Sequence, residues 1–402
     1  MSHPSTPFRI GPLTLRNRLI KAATNEGMSR QGLPTRQLVR FHEAVAAGGA
    51  GLTTLAYCAV SAAGTTLNDQ IVLDETALPH LQALTEAVHR QGGAASAQIT
   101  HGGCFTFVRG HGRPWSASGG VNKIGMMSGQ LLKRAMGEQE MEAVAAQFAE
   151  AARLAKRAGF DAVEIHMGHG YLLSQFLSPL YNQRLDAYGG DIEGRAHFPL
   201  RVLRRVLDAV GDKMAVICKY SMTDGCRGGN RTEEGVAIAR LLEREGAHML
   251  VLSAGLNAES ITTMFGSSFP AENRAVVTNP LMKAAMFLQQ RFQREVPFRE
   301  LYLLEKARRV RQAVSLPLAY LGGVSNAANV LQILEEGFEA VALGRVLIHD
   351  PDFVASVCQD AAHQSGCTHC NRCVAMMYTE GGTSCVLKAP GDPRLNRQPA
   401  AG

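Results

Sequence analysis

The chain reads as an α/β protein, a (β/α)8 TIM barrel with a short C-terminal Cys-rich extension, on three observations. A short apolar strand, a polar or glycine-rich loop and an amphipathic helix ending in glycine recur eight times along the chain. The strand segments are apolar on both faces, as in parallel sheets covered by helices on either side. Eight such units in one chain point to a closed barrel. An open doubly wound sheet is the competing reading, and no glycine fingerprint follows the first strand to support it.

Strands are expected at 19–23, 52–57, 94–100, 162–166, 215–221, 249–253, 317–321 and 340–343. Helices follow at about 35–47, 77–90, 139–158, 194–210, 233–245, 300–314, 326–336 and 351–361. Gly48-Gly49, Gly92-Gly93, Gly159, Gly211, Gly246 and Gly337 stand where these helices need a left-handed stop. Three loops on the carboxyl face of the strands exceed what barrel geometry needs: 101–137, 225–230 and 254–279. Long loops there are expected to wall or cover a pocket. An apolar, Met-rich stretch follows near 280–292, and the polar, Pro-rich tail after Cys385 reads as disordered.

The chain has 402 residues, 46% hydrophobic and 19% charged, the balance of an ordinary soluble globular protein able to bury a large core. Its net charge of +6 comes with no dense Lys/Arg block. The basic pieces at 201–205 and 306–311 fall in helical patterns, so solvated helix faces explain them and nucleic acid is not implied. No run approaches the ~18 apolar residues of a membrane span, and the start lacks an apolar signal core. A cytoplasmic location is expected, in which nine cysteines are not a disulfide framework.

Chemistry concentrates at the strand ends. The fourth strand closes on His166, breaks at Gly168 and Gly170, and brings His169 and Tyr171 into the same turn. Three side chains that donate or relay protons at a buried strand end point to catalysis. The other ends offer Ala22-Ala23-Thr24, Tyr57, Gln98 with His101, and Lys219. Gly322-Gly323 and Gly344-Arg345 follow strands seven and eight, where barrels build a phosphate cradle from close backbone N–H groups. A lysine in a buried strand needs an anion. Lys219 either pairs with a carboxylate such as Glu164 or faces a ligand that becomes negative, as a reduced flavin does. Cradle, buried cation and the Gln98 amide donors together suit flavin mononucleotide (FMN). A metal held by His166 and His169 is the competing reading of that pair, and no third ligand is near in sequence.

TLRNRLIKAAT, AQITHGG, EIHMGHGYLLSQFLSPLYNQRLDAYGG and the late LGG and ALGR segments resemble the Old Yellow Enzyme family over about residues 6–360. The resemblance implies a barrel that holds FMN non-covalently and passes hydride from NAD(P)H to activated C=C bonds, an ene-reductase. It implies flavin-ring contacts at Ala22, Ala23, Thr24, Tyr57 and Gln98, and phosphate contacts at Gly323, Gly344 and Arg345; the residue reading adds Lys219 and Gly322 to them. It implies that His166 and His169 hold a substrate carbonyl and that Tyr171 donates the proton. Lys219 replaces the arginine of many relatives, and Ala23 replaces a proline. The region 252–260, LSAGLNAES, lacks the extra histidine of the dienoyl-CoA reductase branch.

Cys367, Cys370 and Cys373 at two-residue spacing, then Cys385, form a soft-metal signal. The segment resembles the 4Fe–4S motif of the dienoyl-CoA reductase and trimethylamine dehydrogenase branch. Zinc, with His369 as a possible ligand, and free thiols are the competing readings. A cluster here would need an external electron carrier or would be structural. The expected layout is a barrel over 1–362, the Cys-rich extension over 363–388 and a tail over 389–402. The competing functions are an amine dehydrogenase or demethylase running the flavin oxidatively, and a non-catalytic flavin- or metal-binding module. A small-molecule substrate is expected, with a homo-oligomer possible and no membrane partner.

Overall fold

The computed structural model describes residues 3–275, 295–388 and six positions between them, 280, 283, 284, 287, 288 and 291. The tail at 389–402 and most of the Met-rich stretch therefore lie outside the described residues, as do positions 276–279 of the third long loop.

Eight parallel strands close into a barrel. They are β1 (Leu19–Lys21), β2 (Leu52–Ala59), β3 (Ala94–Thr100), β4 (Ala162–Met167), β5 (Ala215–Ser221), β6 (Met249–Ser253), β7 (Leu318–Leu321) and β8 (Ala340–Leu343). The outer ring is α1 (Arg36–Ala47), α2 (Leu78–Arg90), α3 (Glu138–Arg157), α4 (Ile192–Val210), α5 (Thr232–Glu245), α6 (Leu304–Arg311), α7 (Ala327–Glu335) and α8 (Phe353–Gln359). Alternate strand residues divide between two cores, as the period of two requires. On β5, Ala215 and Ile217 fill the barrel interior while Val216 and Cys218 pack against the helices. Phe8, Ile10 and Leu15 of an N-terminal hairpin plug the amino end of that interior. The carboxyl end is thus the open one.

Thr35, Asp191 and Asn326 cap α1, α4 and α7 through side-chain oxygens, the usual relief for unpaired N–H groups. The six expected helix stops all carry a glycine with positive φ, for instance 98° at Gly246. Two boundaries differ from the sequence reading for a reason that bears on the site. The first strand stops at Lys21, because Ala22 leaves the ladder after one bond to the Leu343 carbonyl. α6 starts at Leu304 because the preceding residues wrap the β7 loop, with Leu301 donating to the Gly323 carbonyl. The long loop after β3 contains a small three-stranded sheet of its own, Trp115–Ser116, Gly120–Val121 and Leu132–Ala135. No helix among the described residues is long and apolar enough to cross a membrane.

Candidate active site

A cavity of about 1350 Å³ opens at the carboxyl ends of the strands. Its lining includes Ala22, Ala23, Thr24, Tyr57, Gln98, His166, His169, Tyr171, Lys219, Gly322, Gly323, Gly344 and Arg345, every strand-end residue singled out for cofactor or catalysis. A drug-sized ligand usually occupies about 300–1,000 Å³, so this space has room for a cofactor and a second molecule. His101 is placed elsewhere. Its Nδ1 accepts the Gly103 N–H at 3.0 Å, its ring stacks on Trp115, and burial lowers its pKa to about 4.

The β4 end forms one wall. His169 has a left-handed backbone (φ 62°), a conformation a non-glycine residue keeps only when its surroundings impose it. Here Ser221 Oγ accepts its N–H at 3.1 Å and Asn257 donates to its carbonyl at 3.1 Å. The turn brings the His166 and His169 rings edge to face at 4.9 Å, with Tyr171 4.7 Å from His166. The Gly168 N–H donates to His166 Nδ1 at 3.3 Å, which leaves the ring proton on Nε2. His169 Nε2 meets Ser253 Oγ at 2.7 Å. Among the described residues, His166 Nε2 and His169 Nδ1 have no protein hydrogen-bond partner. Burial, and then the charge of Lys219, holds both imidazoles well below the usual histidine pKa, with His169 also acting on His166. Neutral rings are N–H donors that cost no counter-ion. No third His, Cys, Asp or Glu joins them in a metal-binding group among the described residues.

Burial first, and then Tyr57, raises the Tyr171 pKa, so the phenol stays protonated. The Tyr57 ring lies against it, centre to centre 5.4 Å, and Tyr57 Oη is bonded to Thr66 Oγ1 at 2.5 Å. The chain of hydroxyls ends at Gln70, whose Oε1 lies 3.1 Å from Thr66 Oγ1. Asn257 and Thr66 carry no pattern in the sequence, and only the folded loops bring them to Tyr171. Tyr378, also unforeseen, reaches the cavity from the Cys-rich extension.

The floor is charged. β4 and β5 pair His166 with Lys219 in register, and β3 and β4 pair Gln98 with Glu164. Lys219 Nζ donates to the Ala23 carbonyl at 3.2 Å, which ties down the loop of Ala22, Ala23 and Thr24. Burial lowers the Lys219 pKa, and Glu164 partly restores it. Gln98 spends one N–H on Glu164 at 2.6 Å, so it offers a ligand its carbonyl oxygen and one remaining N–H. That narrows the donor role expected of it.

At the opposite end, the N–H groups of Gly323, Gly344 and Arg345 donate to no acceptor among the described residues. Gly323 has φ 72°, and a Cβ there would meet Leu301 N at 2.8 Å. Around Gly344 the nearest atom to such a Cβ is 3.8 Å away, which leaves its backbone open. Free N–H groups on an approachable backbone suit an anion. The terminal nitrogens of Arg345 already reach Asn371 Oδ1 at 2.5 Å and the Phe265 carbonyl at 2.8 Å. It adds charge to this end of the cavity but not an unoccupied fork, because it also anchors the extension.

Cys367, Cys370, Cys373 and Cys385 line one small cavity beside the large one, with His369, Arg345 and Ile348. Arg345, Ile348, His369 and Cys373 line both, so the partition is one side chain thick. Burial raises the thiols of Cys367, Cys373 and Cys385, that of Cys373 to about 12. Thiols in that state stay protonated unless a cation claims them. No group among the described residues is set closely enough for a single metal ion. His369 Nε2 meets Ser325 Oγ at 2.9 Å and its ring stacks on Phe298, while its buried Nδ1 has no partner among the described residues.

The family profile described as NADH:flavin oxidoreductase / NADH oxidase matches residues 5–364. The 4,4'-dithiodibutanoate disulfide reductase of Rhodococcus erythropolis is 39% identical over 388 residues, covering 95% of this chain and 94% of that protein. A metal reductase of Desulforamulus reducens is 29% identical over 97% of this chain, which spans only 54% of that longer protein. The solved complex of 2-naphthoyl-CoA reductase with 2-naphthoyl-CoA shares the fold, with a TM-score of 0.80 at 22% identity. That likeness covers 98% of this chain and 58% of the other.

Proposed function

Since the chain belongs to the NADH:flavin oxidoreductase / NADH oxidase family and is an enzyme, we propose that it is an FMN-dependent ene-reductase. Its reductant would be NAD(P)H and its substrate an α,β-unsaturated carbonyl or enoyl compound. Membership of a family of named reductases removes the reading as a non-catalytic module.

The observation that carries the proposal is the β4 wall: two neutral imidazoles, each with one uncommitted nitrogen, beside a protonated tyrosine. Bound in this cavity, FMN would supply the hydride. The loop of Ala22, Ala23 and Thr24, with Tyr57 and Gln98, would hold its ring, and Lys219 would favour negative charge on it. The N–H groups of Gly323, Gly344 and Arg345, on backbone that Gly322 helps to shape, would take its phosphate. His166 Nε2–H and His169 Nδ1–H would hold the substrate carbonyl oxygen. Both bonds strengthen as that oxygen gains charge, which favours the transition state over the ground state. Ser253 Oγ, by donating to Nε2, would leave the His169 proton on Nδ1. Tyr171 would give its proton to the α-carbon and regain one from water entering the open cavity.

An organic disulfide is a second candidate oxidant, on the strength of the 39% identity to the Rhodococcus disulfide reductase over nearly the whole chain. For the four cysteines the proposal is a 4Fe–4S cluster. All four thiols line one small cavity, which supports a single centre held by the four. The absorption spectrum and metal content of anaerobically purified protein test both cofactors. About four irons per chain are expected; one zinc and no iron would refute the cluster. NAD(P)H alone should bleach the flavin under anaerobic conditions. Bleaching by an amine but not by NAD(P)H would favour the dehydrogenase reading instead.

A further inference from the structure

Lys21 closes β1 as a fully buried cation, 1% exposed, and is ion-paired with Glu26, itself 2% exposed. Its ammonium also donates to the Thr54 carbonyl at 3.1 Å and lies 5.3 Å from the centre of the Phe41 ring. Thr24 adds a hydroxyl bond to the same Glu26 oxygen at 3.2 Å. The other Glu26 oxygen has no partner, and His42 Nε2 stands 4.0 Å from the paired one, also without a partner. Desolvating two such charges is costly, and exchanging a buried ion pair for apolar side chains is often neutral or stabilising. Fold stability alone gives no reason for this pair.

Its position gives one. Ala22, Ala23 and Thr24, which line the large cavity, run directly from Lys21 towards Glu26. Lys219 holds the Ala23 carbonyl in the middle of that segment. Lys21 and Lys219 both act on Glu164, and Lys21 and Glu26 both act on Lys219. Two lysines and two carboxylates therefore share one dry region around the cavity floor.

We propose that Lys21 is a positioning residue for the charge state of the cofactor: by balancing Glu26 and Glu164 it leaves Lys219 free to hold negative charge in the cavity. This rests on the FMN reading above. Lys21→Met and Glu26→Gln break the same ion pair but move the local charge in opposite directions. In FMN-loaded protein, Lys21→Met should lower the flavin midpoint potential and weaken the binding of sulfite, which forms an anionic flavin adduct. A tenfold change corresponds to about 30 mV for a two-electron couple. Glu26→Gln should raise the potential and tighten sulfite binding, and Lys21→Arg should stay close to wild type. A purely structural pair would shift both variants the same way, and that result, or no shift in either, overturns the proposal. Should Lys21→Met not fold, Glu26→Gln decides alone, since only a rise in potential is compatible. Wild-type protein that binds no FMN would instead remove the functional reading; FMN-loaded variants with unmoved potentials would remove only this inference.

Discussion

The end of β4 and the Cys-rich extension reach the same cavity and are held there by different means. His166 lies on, and His169 and Tyr171 closely follow, a strand whose six residues are all buried and which is bonded on both sides in the barrel. Their turn is locked by Ser221, Asn257 and Ser253. The extension contributes Cys373 and Tyr378 without a sheet to support it. It is tied to the β1 loop by Thr383, which donates to the Glu26 and Asn25 carbonyls at 2.6 and 2.7 Å. Arg345 and Asn371 fasten its other end. Both regions use left-handed non-glycine backbone, at His169 in one and at His369 and Asn371 in the other. The wall on β4 is preorganised by the barrel, whereas the extension depends on its ties to the β1 loop, to Arg345 and to Ser267.

The strongest way to break this comparison is at the rigid wall. His166→Ala should lower kcat for an enone by about 10²–10³, the usual cost of losing one donor to a developing oxyanion. NAD(P)H should still reduce the flavin in that variant, as single-turnover absorbance can show. On the extension, Cys373→Ala should reduce iron from about four per chain to near none and lower the thermal midpoint, while FMN reduction survives. Loss of FMN as well would mean that the two regions are one unit.

pH sharpens the contrast. His166 and His169 lie below the unfolded histidine value of about 6.5. The stability gained by burying them neutral is complete above that pH and is lost as pH falls toward their folded values. Between pH 7 and pH 5 the thermal midpoint of wild type should therefore fall further than that of His166→Ala. The smallest effect is expected at Asn257→Ala. Asn257 lines the cavity and acts on the Tyr171 hydroxyl; one polar contact of that kind is worth about 0.5–1.5 kcal/mol, so kcat should fall about 3- to 10-fold with KM little changed.

Much of the barrel was legible because buried parallel strands leave continuous apolar runs, and helix stops leave glycines. β3, β5, β6 and β8 stand at the expected residues. Two of the misjudged boundaries, at Lys21 and Leu304, are where tertiary contacts of the cavity override local pattern. The strand-end residues were legible for a related reason: in a barrel, chain position after each strand already specifies the face. Asn257, Thr66 and Tyr378 were not, since loops without periodicity give no sign of what they will touch. Lys21 read as part of an apolar strand, and its partner Glu26 lies beyond the strand in a loop with no signature. The commitment of Arg345 to Asn371 and Phe265 was equally invisible, because it joins segments far apart in sequence.

The central claim is that Tyr171 finishes a reduction which the histidine pair prepares, and the two half-reactions of Tyr171→Phe test it most directly. Stopped-flow measurement should show flavin reduction by NAD(P)H at the wild-type rate, with reoxidation by an enone slowed about 10²-fold or more. Reoxidation at the wild-type rate would contradict the account.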